Sequence, residues 1–170
     1  MVRDWSTSAT YTWTPTTFGA YALGIWVRNS GVSGDDPKST ASAPFPILPA
    51  LVGTYAFTGS ATNPNCTDPG DNGTVPFSGT LTISSQTGGS FGGTVAVPTC
   101  DDLGCHTDTV PLSGTVTGTG QVNGTLGNAE GRYTYSGSLS GTTLTLTFAG
   151  SWRDELGSCN LSGSLTAIKP

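Results

Sequence analysis

The sequence feature that most constrains the fold is a five-residue motif that recurs through the last two thirds of the chain. It consists of an apolar residue, a small residue, Gly, Thr or Ser, and a second apolar residue. Its six copies are centred on Gly79, Gly93, Gly114, Gly124, Gly137 and Gly163. Alternate residues of a β-strand share a face, so each copy puts its glycine and both apolar residues on one side. Because glycine on an inner face permits tight curvature, the motif predicts short, curved strands.

The spacing of the motif favours hairpins over a repeat architecture. Successive motif glycines are 14, 21, 10, 13 and 26 residues apart, whereas a solenoid needs a fixed period. We expect about eight strands, near residues 52–58, 76–84, 91–97, 110–117, 121–126, 132–139, 142–149 and 159–167. Eight strands close a small antiparallel up-and-down barrel, whose interior is either packed or holds one ligand. The predicted fold class is therefore all-β.

The meander of residues 48–170 loosely resembles avidin-like and lipocalin-like small barrels. The resemblance is one of architecture, and no ligand-binding motif of either family maps onto these residues. Trp152 is the single tryptophan in this region, which argues against an aromatic-walled pocket of the biotin-binding type.

The composition excludes several classes of function. Only 10% of the residues are charged, six are Lys or Arg, and the formal net charge is −5. A basic surface that neutralises phosphates is therefore excluded, and we predict no nucleic-acid partner. No apolar run of about 18 residues is present, so we predict no membrane span. Solubility depends instead on 29 Thr and 19 Ser, a composition typical of extracellular bacterial modules.

The N-terminal region predicts a separate pair of strands. Residues 9–14 alternate between apolar and polar, and residues 20–28 form a second run after a turn at residues 15–19. In the second run Tyr21, Leu23, Ile25 and Val27 share an apolar face. The segments Trp13-Thr14-Pro15, Gly19-Ala20-Tyr21 and Trp26-Val27-Arg28 resemble the end of an immunoglobulin-like (Ig-like) repeat of bacterial surface proteins, over residues 4–30. That resemblance implies a corner hydrogen bond from Tyr21 to the backbone. An ordinary amphipathic hairpin is the alternative.

This resemblance sets the expected domain organisation. Residues 1–30 are expected to be a truncated Ig-like strand pair, residues 31–47 a linker by composition, and residues 48–170 the barrel domain. Residues 41–47 are an alternative short last strand of the fragment. Because the earlier strands of such a sandwich are absent, an apolar face and a sheet edge stay uncovered. We therefore expect residues 5–28 to pack on the barrel or to pair with a second copy, which makes a homo-oligomer.

Four cysteines indicate the compartment. An even number predicts two disulfides and an oxidising environment. Cys100 and Cys105 flank a four-residue turn, so we expect them to pair, which leaves Cys66 with Cys159. A zinc site usually needs two close pairs of ligands, and only one is present here.

Residues 1–5 lead into a Ser/Thr-rich stretch without the apolar region of a signal peptide. We therefore expect a piece of a longer secreted or cell-surface protein.

The densest polar cluster lies at the Cys100–Cys105 turn. It holds Asp101, Asp102 and Asp108 together with His106, the only histidine of the chain. These residues are candidates for a metal or substrate site, in which oxygen ligands favour calcium and His106 favours a transition metal. A solvated hairpin loop whose aspartates cap their own turn is the alternative. No EF-hand-type calcium loop is present, so the sequence predicts no metal and no cofactor.

A second candidate cluster consists of Trp152, Arg153, Asp154 and Glu155. An exposed tryptophan beside these charges suits a sugar or a peptide. The alternative is a hairpin tip on which Trp152 covers the mouth of the barrel.

We expect a non-catalytic extracellular binding or adhesion module of a bacterial exported protein, with a glycan or a small molecule as its ligand. A small secreted hydrolase that uses His106, or the acidic pair Asp154 and Glu155, is the alternative. Against it, the chain has no Gly-x-Ser-x-Gly nucleophile elbow. A metal-dependent loop protein is the third hypothesis.

Overall fold

The computed structural model describes residues 10, 12–27, 29, 31, 39–101, 104–129, 131–153 and 157–170, without the side chains of residues 100, 101 and 104. The described chain is all-β apart from one 3-10 turn, Pro69–Asp71. Its ten strands are β1 (Gly19–Val27), β2 (Ser39–Ile47), β3 (Gly53–Asn63), β4 (Gly73–Thr87), β5 (Ser90–Asp101), β6 (Gly104–Val116), β7 (Gln121–Gly127), β8 (Gly131–Ser140), β9 (Thr143–Arg153) and β10 (Ser158–Ile168). No helix in this described part has the length and hydropathy of a membrane span.

Strands β3 to β10 form a closed antiparallel barrel in which each strand pairs with the next along the chain. The last strand closes onto the first, with Leu165 opposite Gly59 and Ile168 opposite Ala56. The predicted up-and-down barrel of eight strands is confirmed, and most of its strands extend several residues beyond the predicted bounds.

Alternation along each strand builds the core. On β9, Leu144 and Leu146 are buried while Thr145 and Thr147 face solvent. The inward positions of all eight barrel strands contribute to one hydrophobic cluster. Burial of apolar area is the main driving force for folding, so this alternation fixes which face of each strand points inward.

The inward glycines make room for aromatic rings on neighbouring strands. A Cβ at Gly114 or at Gly124 would run into the hydroxyl of Tyr135, and a Cβ at Gly163 would lie 2.6 Å from the Phe148 ring. The position of these glycines on the inner face, predicted from the motif, is confirmed. Their physical role is to let rings and backbones approach closely in a narrow barrel.

β1 and β2 form a separate two-stranded ribbon, with Gly19 opposite Ile47 and Val27 opposite Ser39. The predicted strand at residues 9–14 is wrong for the residues described there, because residues 10 and 12–14 lie outside any strand. Trp13 instead contacts β1 through its ring, which packs edge-on against Tyr21 at 5.0 Å between centroids.

The partner of β1 comes from the segment predicted as a linker. Residues 39–47 of the range 31–47 form β2, so the alternative of a short strand at residues 41–47 is confirmed. Pro44 and Pro46 fit there because each strand of a two-stranded ribbon has a free edge, where no ladder donor is lost. Residues 32–38 lie outside the described part.

The start of β1 carries the hydrogen bond implied by the Ig-like resemblance. The Tyr21 hydroxyl donates to the Thr17 carbonyl over 2.9 Å. Beside it, Phe18 packs against the barrel core, where a Cβ on Gly120 would lie 3.2 Å from its ring. The base of the ribbon therefore rests on the turn between β6 and β7.

Candidate functional site

The barrel interior contains a cavity of about 240 Å³. The described residues that line it are all aliphatic or aromatic, and six of them contribute rings: Phe57, Phe77, Phe91, Tyr133, Tyr135 and Phe148. Phe77 packs edge-to-face between the rings of Phe57 and Phe148, at 5.5 and 5.8 Å. The aromatic part of the wall therefore consists of phenylalanine and tyrosine, and Trp152 does not line the cavity.

The floor of the cavity is closed by the segment that enters β3. Leu51 is fully buried, and its N–H donates to the Gln86 side chain over 2.8 Å. The Gln86 amide in turn donates to the Pro49 carbonyl at 2.9 Å, and the Tyr55 hydroxyl donates to the Leu51 carbonyl at 2.8 Å. These bonds satisfy the polar backbone that crosses the end of the barrel, so the floor is fixed.

The opposite end, which we call the rim, is where the cavity reaches the surface. The half-buried members of the cavity wall are Phe77, Val97, Val110, Leu126, Tyr133, Phe148 and Leu161. They lie toward the ends of strands that meet at the rim. A small molecule would therefore enter from this end.

A disulfide fixes one side of the rim. Cys66 in the β3–β4 loop is bonded to Cys159 at the start of β10, with an S–S distance of 2.01 Å. Next to it, the Thr67 N–H donates to the Ser158 carbonyl at 2.9 Å, and the Ser158 N–H donates to the Thr67 hydroxyl at 3.0 Å. The predicted Cys66–Cys159 pair is confirmed.

The second predicted pair lies at the tip of the β5–β6 hairpin. Cys105 is disulfide-bonded, and Cys100 is its cross-strand neighbour in the register. The side chain of Cys100 lies outside the description, so the Cys100–Cys105 bond stays a prediction.

The same hairpin carries the first candidate cluster. His106 Nε2 lies 3.5 Å from Asp108 Oδ1, and about half of each side chain is exposed. Asp108 also accepts a hydrogen bond of 2.9 Å from Thr99. Asp102 and the side chain of Asp101 lie outside the described part. The described members of this cluster lie on the surface and do not line the cavity.

The second candidate cluster lies on β9. Trp152 is a half-buried residue at the rim, opposite Gly131 and Cys159, and Arg153 is exposed. Asp154 and Glu155 lie outside the described residues. The described members of the two clusters lie on β6 and β9, which are three strands apart around the barrel.

No group of three His, Cys, Asp or Glu side chains within the described ranges is arranged to hold a metal ion. A scan against protein-family models finds no match, and a search of curated proteins finds no significant relative.

The sequence did not decide whether the barrel interior is packed or contains a cavity. Whether an eight-stranded barrel is packed or hollow depends on the side chains that meet from several strands. A usable signal lay in the motif, since each inward glycine removes side-chain volume from the interior.

Proposed function

We propose that the barrel is a non-catalytic binding module that holds one small, mainly apolar molecule in its interior. The observation that carries this proposal is the apolar cavity of about 240 Å³. An engineered apolar cavity of about 150 Å³ binds benzene. On that scale a space of about 240 Å³ takes a molecule of roughly ten non-hydrogen atoms.

Energetics support an occupant. Wall atoms that face an unfilled apolar space lack the packing contacts that a filled core provides. An apolar ligand restores the missing contacts, and its rings can pack edge-to-face on Phe57, Phe77 and Phe148.

Of the two ligand classes expected from the sequence, the cavity favours a small apolar molecule over a glycan. A sugar brings many hydroxyl groups, and each of them costs free energy when it is buried without a hydrogen bond. The described lining offers those hydroxyls few partners. Glycan binding would use the outer surface instead, where Trp152 and Arg153 are the candidates.

The test is a pair of matched substitutions on β3, assayed by fluorescence titration with naphthalene. Ala61 is 7% exposed and lines the cavity, whereas Ala56 faces solvent on the same strand. Ala61→Leu fills part of the cavity and should weaken binding at least tenfold, while Ala56→Leu should leave the affinity unchanged. Equal affinities for the two variants, or a response of the wild type only to a glycan array, would contradict the proposal.

We also propose an extracellular or cell-surface location, as part of a longer bacterial exported protein. The Cys66–Cys159 disulfide supports it, because such bonds persist in oxidising compartments and are rare in the cytosol.

We propose that the ribbon mediates pairing with a second copy of the chain. Leu23, Ile25 and Val27 on one face are 43%, 66% and 55% exposed, and Phe45, the cross-strand neighbour of Tyr21, is 46% exposed. Ala41 and Ala43 lie opposite Ile25 and Leu23, so this face is a flat, uncharged apolar strip. A strip of this kind is complementary to itself across a two-fold axis.

A further inference from the structure

On the basis of the proposed binding function, we infer that the ligand carries one neutral hydroxyl group, which hydrogen-bonds to the Tyr133 hydroxyl at the rim of the cavity.

The first observation is a difference between the three tyrosines that point into the barrel. The Tyr55 hydroxyl donates to the Leu51 carbonyl at 2.8 Å, and the Tyr135 hydroxyl donates to the Ser113 carbonyl at 3.0 Å. The Tyr133 ring lines the same cavity, but its hydroxyl makes no hydrogen bond to the described residues. Tyr133 is half-buried and its hydroxyl is not among the buried unpartnered atoms, so solvent reaches it and its proton can be donated to a ligand.

The Tyr133 side chain also points toward the route of entry. A Cβ built on Gly131 would lie 2.8 Å from the Tyr133 hydroxyl, so the side chain leans along β8 toward the rim. Its ring covers Gly150 on the adjacent strand. The hydroxyl therefore lies where the polar end of a ligand in the cavity would meet solvent.

A second unpartnered polar atom lies at the same end of the barrel. Tyr133 is opposite Gly150, Gly150 is opposite Leu161, and Asn63 follows the last pair of the β10–β3 register, Ser162 and Thr62. Asn63 Oδ1 is buried and has no hydrogen-bond partner among the described residues. Asn63 and Tyr133 are three strands apart around the barrel, so the two atoms mark separate points of this end.

A hydroxyl group suits the Tyr133 donor because its oxygen accepts a hydrogen bond while its own proton can bond to water at the rim. A carboxylate suits it less well, since an ionised group among apolar walls costs far more free energy than a neutral one. Burial raises the pKa of the Tyr133 hydroxyl, which keeps it protonated as a donor at neutral pH. The nearest cations on these strands, Arg132 and Arg153, occupy exposed positions.

The experiment compares 2-naphthol with naphthalene, which differ by one hydroxyl group, in titrations of the wild type, Tyr133→Phe and Tyr21→Phe. We expect Tyr133→Phe to weaken 2-naphthol binding about fivefold, the worth of one ordinary hydrogen bond, and to change naphthalene binding by less than about twofold. Tyr21→Phe is the control, because its hydroxyl lies on the ribbon outside the cavity, and it should leave both affinities unchanged.

The possible outcomes separate this inference from the proposed function. If the wild type binds naphthalene but Tyr133→Phe changes both affinities equally or neither, the inference is wrong and the binding function stands. Tighter binding of 2-naphthoate than of 2-naphthol would also overturn it, by requiring a charged group. If the wild type binds neither compound, both proposals fail. The melting temperature of Tyr133→Phe should equal that of the wild type, because no bond within the protein is lost.

Discussion

The Tyr55 hydroxyl donates a hydrogen bond of 2.8 Å to the Leu51 carbonyl, four residues earlier in the chain. Tyr21 makes the same bond to the Thr17 carbonyl at the start of β1. In both cases a glycine stands two residues before the tyrosine, at the beginning of the strand. The same hydrogen bond from a tyrosine to the carbonyl four residues earlier therefore occurs twice, at the first strand of the ribbon and at the first strand of the barrel.

The two corner bonds should differ in their contribution to stability. Tyr55→Phe leaves the Leu51 carbonyl without that donor in a site where both residues are at most 1% exposed, so we expect a loss of about 1–3 kcal/mol. Tyr21→Phe is the control, since its bond is exposed and water replaces it; we expect a change below about 0.5 kcal/mol. Urea denaturation monitored by circular dichroism gives both values. A larger loss for Tyr21→Phe would refute this reading of the corners.

Two adjacent glycines of β5 should respond oppositely to alanine. A Cβ on Gly93 would lie 2.9 Å from the Ile83 Cα, so the backbones of β4 and β5 must separate. We expect Gly93→Ala to cost about 3 kcal/mol. A Cβ on Gly92 meets nothing closer than 3.4 Å, and alanine there should be neutral or stabilise by about 0.5 kcal/mol through the unfolded state. Similar melting temperatures for the two variants would show that the inner face is not tightly packed at Gly93.

Stability should fall at alkaline pH. Burial raises the pKa of Tyr55, Tyr133 and Tyr135 above the ordinary value of 10. The folded state then holds these protons at a pH at which the unfolded chain has released them. Their contribution is fully present below pH 10 and is lost as the pH rises above it.

Urea unfolding between pH 8 and pH 12, with tyrosine ionisation followed by absorbance near 295 nm, tests this pH dependence. Tyr55 and Tyr135, which are buried, should ionise only as the protein unfolds, and Tyr135→Phe should reduce the loss of stability. Ionisation of all five tyrosines near pH 10 in the folded protein would contradict it.

Light scattering after size-exclusion chromatography tests the proposed pairing through the ribbon. The wild type should elute with twice the chain mass of 17.2 kDa. Ile25→Asp puts a charge on the apolar strip and should give the monomer mass, because burial of an unpaired carboxylate is costly. Thr40→Asp, on the opposite face of the ribbon, should remain a dimer. A monomeric wild type would rule out the pairing.

Much of the fold could be predicted from the sequence because it depends on local alternation. Leu144 and Leu146 point inward because of their positions in the strand, and the inward glycines follow from the same rule. The Cys66–Cys159 bond was predicted because Cys100 and Cys105 were expected to pair with each other, which left only these two cysteines.

The cavity could not be predicted, because it is set by contacts between residues far apart in the chain. Phe77 and Phe148 pack edge-to-face although 71 residues separate them. The partner of β1 was left open between residues 9–14 and residues 41–47 for a related reason. Residues 9–14 and 39–47 are both plausible partners of β1 by composition, and alternation alone does not choose between them. Tyr133 and Tyr135 lie two residues apart on the same face of β8, but only the Tyr135 hydroxyl donates to a backbone carbonyl, that of Ser113. The sequence does not show this difference.

The pairing of β10 with β3 has a consequence for biogenesis. Ile168 meets Ala56 across 112 residues of chain, so the barrel closes only after β10 has been synthesised and has left the ribosome. Until then the nascent chain exposes two unpaired strand edges. We expect chaperones that prevent aggregation to bind it in that state. A chain that ends before β10 would therefore leave the barrel open and remove Leu161 and Leu165 from the wall of the cavity.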